Sequence, residues 1–315
     1  MARLGARIGS WAQALRGCNV DDVSGADPIA RWLVISRACV FAMTIFSALI
    51  GTLLAAADGY FRPGLALLSL AGLVAAHAAN NLLNDYLDVK NGVDSEDYPR
   101  AQYAPHPLLG GLTTPRRLLQ AILVLNLVDA AIMLYLGLAA GRPWVFAFAL
   151  AGLALSVFYV AGPIKLKHRG LGELTALVVW GPLMTGGTYY VVAGIISPLT
   201  WLATLPYGLL VATVLVGKHI DKLKEDASIG VHSIPVLLGG ENARVLNMAL
   251  MVLFFLLLVV LVAVGAMGFW IPLTLLAQRH QAPEAQCRRG HQEDEGQGKP
   301  VYYKHPTLPT ILRAY

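Results

Sequence analysis

The sequence predicts an all-α, multi-spanning transmembrane helical bundle on three observations. Hydrophobic residues make up 56% of the 315-residue chain, charged residues only 14%, and the mean hydropathy is +0.59. A soluble domain carries roughly 25% charged residues, so most of this chain must avoid water. Second, seven apolar segments reach the roughly 20 residues that a spanning helix needs. Third, Lys and Arg collect in alternate loops between those segments, the pattern of a membrane protein with basic cytoplasmic loops.

Residues 1–28 carry basic side chains, but Asp21, Asp22 and Asp27 interrupt them before the first apolar run. No apolar core followed by a small-residue cleavage site is present, so this stretch reads as a cytoplasmic lead-in. The transmembrane domain is expected over 29–277, with spans at 33–57, 62–83, 118–140, 143–162, 171–195, 199–217 and 245–267. The apolar stretch 269–277 is too short to span and reads as a stub, a re-entrant piece or an extension of the seventh helix. The tail 278–315 is polar and rich in Gly, Pro and Gln, the composition of a weakly ordered segment.

Of the 24 Lys and Arg, only Arg62 and Arg142 fall in one set of short loops. The loops 84–117, 163–170 and 218–244 carry eleven, which places those loops in the cytoplasm with the N-terminus. The net charge of +5, with no long basic run, points to lipid head groups and excludes a nucleic-acid footprint. Cys18, Cys39 and Cys287 are far apart and unpatterned, so neither a disulfide framework nor a zinc site is expected.

The strongest chemical signal is Asn80-Asn81-Leu82-Leu83-Asn84-Asp85-Tyr86-Leu87-Asp88, followed by Asn91-Gly92-Val93-Asp94. Asn84 and Asp88 are one helical turn apart and share a face. Asp94 lies beyond an Asn-Gly turn signal that folds it back towards them. Oxygen ligands with room for water suit Mg²⁺ held together with substrate phosphates. Two asparagines and an aspartate at the apolar end of a span are expensive, which argues for a function.

A second site is Lys218-His219-Ile220-Asp221-Lys222-Leu223-Lys224-Glu225-Asp226. Asp221 and Glu225 have the spacing of a shared helix face, with Lys218 and Lys222 as a second pair. The mixture suits a second metal ion and a diphosphate, or a set of surface ion pairs. In the middle loop, Lys165 and Arg169 are candidate phosphate contacts, although loop orientation alone also accounts for them. His106 and His168 read as polar loop residues, while His219 lies inside the second acidic segment.

At these residues the sequence resembles the UbiA superfamily of intramembrane prenyltransferases. The first motif is similar to the family's Asn-Asp-x-x-Asp signature. Its spacing to Asp94 is similar to the branch that prenylates 1,4-dihydroxy-2-naphthoate in menaquinone synthesis. Pro107-Leu108-Leu109-Gly110-Gly111, Gly162-Pro163 through Glu173, and Gly181-Pro182 also resemble the family, over roughly 30–265. Two features depart from it. The second motif, usually Asp-x-x-x-Asp before a Gly, has Lys222 where the first Asp belongs when anchored on Asp226 and Gly230. The family usually has nine spans, and here polarity returns after seven.

The resemblance implies a UbiA-like fold and an inner-membrane enzyme whose site opens near the cytoplasmic face. Mg²⁺ would be held by Asn84, Asp88 and Asp94 and by Asp221, Glu225 or Asp226. Lys165, Arg169, Lys218 and Lys222 would bind the diphosphate of a prenyl diphosphate. Asp85 and Asp221 are the candidate catalytic carboxylates, and Asn80, Asn81 and Tyr159 the other candidate substrate contacts. An allylic cation would be captured by an aromatic acceptor. The rivals are a membrane terpene cyclase, which quenches the cation internally, and a cation-coupled transporter.

Overall fold

The computed structural model describes residues 2–23, 25–95 and 104–268. The stretch 269–277 and the tail 278–315 lie outside the described residues. Among those described the fold is helical. Helix α1 spans Ala2–Gly17 and α2 spans Pro28–Ile35. The Asp27 carboxylate caps α2, accepting from Ile29 N and Ala30 N, and also accepts from Trp11 Nε1 at 3.0 and 3.1 Å. This staples α1 against α2, and buried Ala14, Val20 and Val34 fill the joint.

Cys18 and Cys39 form a disulfide, contrary to the sequence expectation. The pairing needs α1 to fold back on the turn Ala38–Val40, which a 21-residue separation does not announce. Cys287 lies outside the described residues.

The long apolar helices follow: α3 Phe41–Ala57, α4 Pro63–Lys90, α5 Pro115–Leu134, the shorter α6 Val145–Val160, α7 Gly172–Ala193 and α8 Pro198–Asp221. Short helices α9 Leu223–Ser228 and α10 Ile234–Leu238 lead into α11 Gly240–Ala263. Proline opens α4, α5 and α8, where its missing N–H costs nothing. Ser197 and Thr200 add a capping box to α8. Pro182 sits in a π-helical stretch, Val179–Gly186, within α7.

Among the described residues six helices, α3, α4, α5, α7, α8 and α11, are long and apolar enough to cross a membrane. The fourth of the seven expected spans, 143–162, yields only α6, whose 16 residues reach about 24 Å. Left-handed glycines end it on both sides: Gly141 has φ +68° and Gly162 φ +70°.

Helix α7 forms the middle of the bundle. Its apolar window is 67% buried, against 11% for α5, which leaves most of α5 facing lipid. Small residues let backbones approach closely here. A Cβ on Gly208 would lie 3.0 Å from Gly181 Cα and collide with the Leu177 carbonyl. Ser47 Oγ and Thr185 Oγ1, 2.8 Å apart, join α3 to α7. Gly208→Val is therefore expected to destabilise the protein by about 1–3 kcal/mol, because backbone atoms cannot step aside as a flexible side chain would. Thermal unfolding in detergent measures this, and a wild-type midpoint would contradict the close crossing.

The three basic loops gather at one end, where α4, α6 and α8 finish and α7 begins. Lys167 Nζ reaches Asp88 Oδ2 at 2.8 Å, and Arg169 pairs with His232 through backbone. At the other end Arg142 Nε donates to Val191 O at 2.8 Å, and Tyr189 donates to Asp58 at 2.6 Å.

Candidate active site

A cavity of about 1520 Å³ runs from the basic-loop end towards Leu136, Val145 and Val191 near the other end. Helix α4 supplies its polar wall. Asn80, Asn84 and Asp88 recur every four residues and all face the cavity, as does Asn81. Ser156 Oγ donates to Asn80 Oδ1 at 2.6 Å, and Asn81 Nδ2 donates to Ser36 O at 3.0 Å. Asn84 Oδ1 is buried with no hydrogen-bond partner among the described residues. A buried amide oxygen with no donor carries a desolvation cost unless something completes it.

After α4, Gly92 adopts φ +72°, and Val93 N and Asp94 N both donate to Asp88 O, at 2.8 and 3.1 Å. That turn brings Asp94 into the same wall. His106, read from the sequence as a polar loop residue, lies outside the helices and is buried. Its Nδ1 accepts from Leu108 N and Leu109 N at 3.2 and 3.3 Å, which puts the proton on Nε2, 3.2 Å from Asp94 Oδ2. Burial would raise the Asp94 carboxyl, but this hydrogen bond and the charges of Lys167 and Arg37 hold it below its ordinary value.

Asp85 points away from the cavity wall. It is fully buried and paired with the Arg37 guanidinium, and His106 Nε2 lies 3.9 Å away. Asp85, Asp94 and His106 place ligand atoms within 4.8 Å of one another. The Arg37 guanidinium already occupies one side of that group. Arg37 itself lines the cavity, with φ 56°.

The opposite wall comes from the end of α8. The helix stops at Asp221, and Lys222, with φ −113°, turns the chain into α9. The expected continuous face for Asp221 and Glu225 is therefore interrupted. Both still line the cavity, exposed at its mouth, with Lys218 and buried Lys222. Burial pushes the Lys222 ammonium below its ordinary value, and Asp226, whose Oδ1 lies 3.9 Å away, offsets part of this. Asp226 is buried behind the wall. His219 Nδ1 lies 2.7 Å from Glu173 Oε1, which also accepts from Ile234 N, closing the start of α7 against α8.

Of the middle loop, Tyr159 and Lys167 reach the cavity. Lys165 and Arg169 are not in its wall, and the Arg169 guanidinium donates to Pro163 O at 3.0 Å. Lys167, between them, was not singled out by the sequence. Neither was Arg37, hidden inside an apolar run, nor the wall pair His77 and Trp180, whose rings meet edge-on at 5.5 Å. Lys167→Met is expected to raise about tenfold the KM for an anionic substrate bound at this end of the cavity, while the protein stays folded. Steady-state kinetics in nanodiscs check this, and an unchanged KM would remove Lys167 from the binding site.

The described residues thus form a bundle of apolar helices, with amides, carboxylates and lysines at one end of a long, largely apolar cavity. The model of the UbiA prenyltransferase family matches residues 44–279, and the chain belongs to that family. The family is one of prenyltransferases, and six of the described helices are long and apolar enough to cross a membrane. It is 26% identical over 203 residues to the 1,4-dihydroxy-2-naphthoate octaprenyltransferase of Bacillus subtilis, covering 63% of each chain. That is under two thirds of the Bacillus protein's length. The Escherichia coli protein of the same name is 28% identical over 221 residues, covering 68% of this chain and 70% of that protein. The human UbiA prenyltransferase domain-containing protein 1 is 23% identical over 248 residues, covering 78% and 71%. A solved structure described as digeranylgeranylglyceryl phosphate synthase in membranes shares the fold, with a TM-score of 0.54 and 17% identity, over 87% of this chain and 83% of that one.

Proposed function

We propose that this protein is an Mg²⁺-dependent prenyltransferase that moves a polyprenyl group from a prenyl diphosphate to an aromatic acceptor. The first-choice acceptor is 1,4-dihydroxy-2-naphthoate or a related quinone precursor, the acceptor in the names of its bacterial relatives. One observation carries the reading. The partnerless Asn84 oxygen stands beside Asp88 in the wall of a cavity that is otherwise largely apolar. An oxygen donor set of this kind fits a hard divalent cation.

Asn84, Asp88 and Asp94 would hold Mg²⁺ on one wall, and Asp221 and Glu225 are the candidates on the other, with Asp226 buried behind them. When bound, Mg²⁺ supplies Lewis-acid charge against the leaving diphosphate. Lys167, Lys218, Lys222 and Arg37 donate N–H bonds to the diphosphate oxygens, and Lys165 and Arg169 extend the positive charge at the mouth. Asp85 acts through Arg37, fixing its guanidinium. As the C–O bond breaks, Asn80, Asn81 and Tyr159 line the space where the allylic carbon meets the acceptor ring. The apolar wall keeps water from the cation. Where the attacked ring carbon carries hydrogen, Asp221, exposed at the mouth, is the carboxylate to take up the proton that the ring loses; where it carries the carboxylate, CO₂ leaves in place of the proton.

The basic loops favour a cytoplasmic mouth in the cell's inner membrane, with 29–277 as the prenyltransferase unit, 1–28 as a lead-in and 278–315 as a tail. The test is transfer by the purified protein in lipid, offered prenyl diphosphates and a panel of phenols and dihydroxynaphthoate. Product should form with Mg²⁺ and stop when EDTA removes it. Undiminished transfer in EDTA would sink the metal assignment. A hydrocarbon formed without acceptor would make the protein a cyclase.

A further inference from the structure

The proposed chemistry leaves one carboxylate unexplained. Asp129 stands near the middle of the 25-residue span Pro115–Ala139 and lines the cavity. No hydrogen bond or ion pair reaches it among the described residues. Carboxylates in the hydrocarbon region are costly, and those present face an interior and serve a function. Gly72 on α4 makes room for this one, since a Cβ there would lie 3.1 Å from Asp129 Oδ1. One turn further along α4, Ser69 Oγ and Thr188 Oγ1 meet at 3.2 Å and also line the cavity. Helices α4, α5 and α7 thus build a polar collar in an apolar passage. Beyond it the wall is apolar again, with Leu136, Val145 and Val191 packed together.

The position of the collar gives it a meaning. Gly72 lies twelve residues before Asn84 on one helix, about 18 Å along its axis. That is comparable to an extended geranylgeranyl tail. A tail of that length, with its diphosphate beside Asn84, ends at the collar. A longer tail must thread hydrocarbon past a carboxylate and two hydroxyls, stripping them of water.

We infer that Asp129 is a specificity-determining residue that limits the length of prenyl tail the cavity accepts. This rests on prenyl diphosphate being the substrate. The experiment compares kcat/KM for geranylgeranyl diphosphate and octaprenyl diphosphate in nanodiscs, for wild type, Asp129→Leu and Asp129→Asn. Wild type should favour the shorter tail. Asp129→Leu should move the ratio towards octaprenyl by about tenfold or more, while geranylgeranyl transfer persists, and the polar Asp129→Asn should move it by less than about threefold. Asp129→Ala gives the same readout if the leucine variant fails to accumulate. A ratio that moves less than about twofold in an active Leu or Ala variant overturns the inference, as does a wild type that prefers octaprenyl. No transfer of either tail by wild type to any acceptor is a different result, which defeats the substrate assignment itself.

Discussion

Asp88→Ala is expected to lower prenyl transfer on the order of a thousandfold while the protein still inserts and folds. Asp88 does two things that alanine cannot. On the proposed reading its carboxylate is a hard ligand beside the Asn84 oxygen, and its Oδ2 holds Lys167 at 2.8 Å. Alanine would remove that proposed ligand and the bond to the lysine. Its backbone role survives, because the carbonyl that receives Val93 N and Asp94 N belongs to any residue at that position. Folding should therefore be spared and chemistry lost. Asp88→Asn keeps the shape and a weaker bond to Lys167, so it should retain more activity than alanine. Transfer assays in membranes, with size-exclusion profiles as the folding control, measure both. Activity within a few-fold of wild type in the folded alanine variant would refute the metal site.

Arg37→Gln should act on stability first. Asp85 is wholly buried, and the Arg37 guanidinium pairs with it. Breaking a buried ion pair from one side costs about 3–5 kcal/mol, because it takes a cation away from a charge that water does not reach. His106 Nε2 lies 3.9 Å away and is directed at Asp94. The expected result is a marked fall in the thermal midpoint in detergent, largely restored when Asp85→Asn is added. A single variant as stable as wild type, or a double variant no better than the single, would contradict this account.

The sequence made the α4 wall legible because helical spacing is a strong constraint. Asn84 and Asp88 share a face wherever the helix continues, and it continues to Lys90. The Asn91-Gly92 turn was legible for a similar reason, since few residues other than Gly adopt φ +72°. What could not be read depended on backbone choices without a signature. Lys165 takes a left-handed conformation, φ 43°, ahead of the turn that carries Lys167 to Asp88. Lys222 interrupts a run that reads as continuous helix. The Cys18–Cys39 bond and the Arg37–Asp85 pair join residues 21 and 48 positions apart, and only tertiary packing brings them together. Asp129 was overlooked because its neighbours are those of an ordinary apolar span.

The lopsided cavity also bears on how a turnover would end. Its charged groups grip one end of the proposed substrate, and the rest of the wall offers the tail little that lipid would not offer equally well. Breaking the diphosphate bond severs the product from the only part of the protein that prefers it to the bilayer. The lipid product is then free to partition into the surrounding hydrocarbon, while the diphosphate leaves by the polar mouth. On this arrangement the protein needs no separate device for ejection, because the reaction itself converts a tethered guest into a membrane solute.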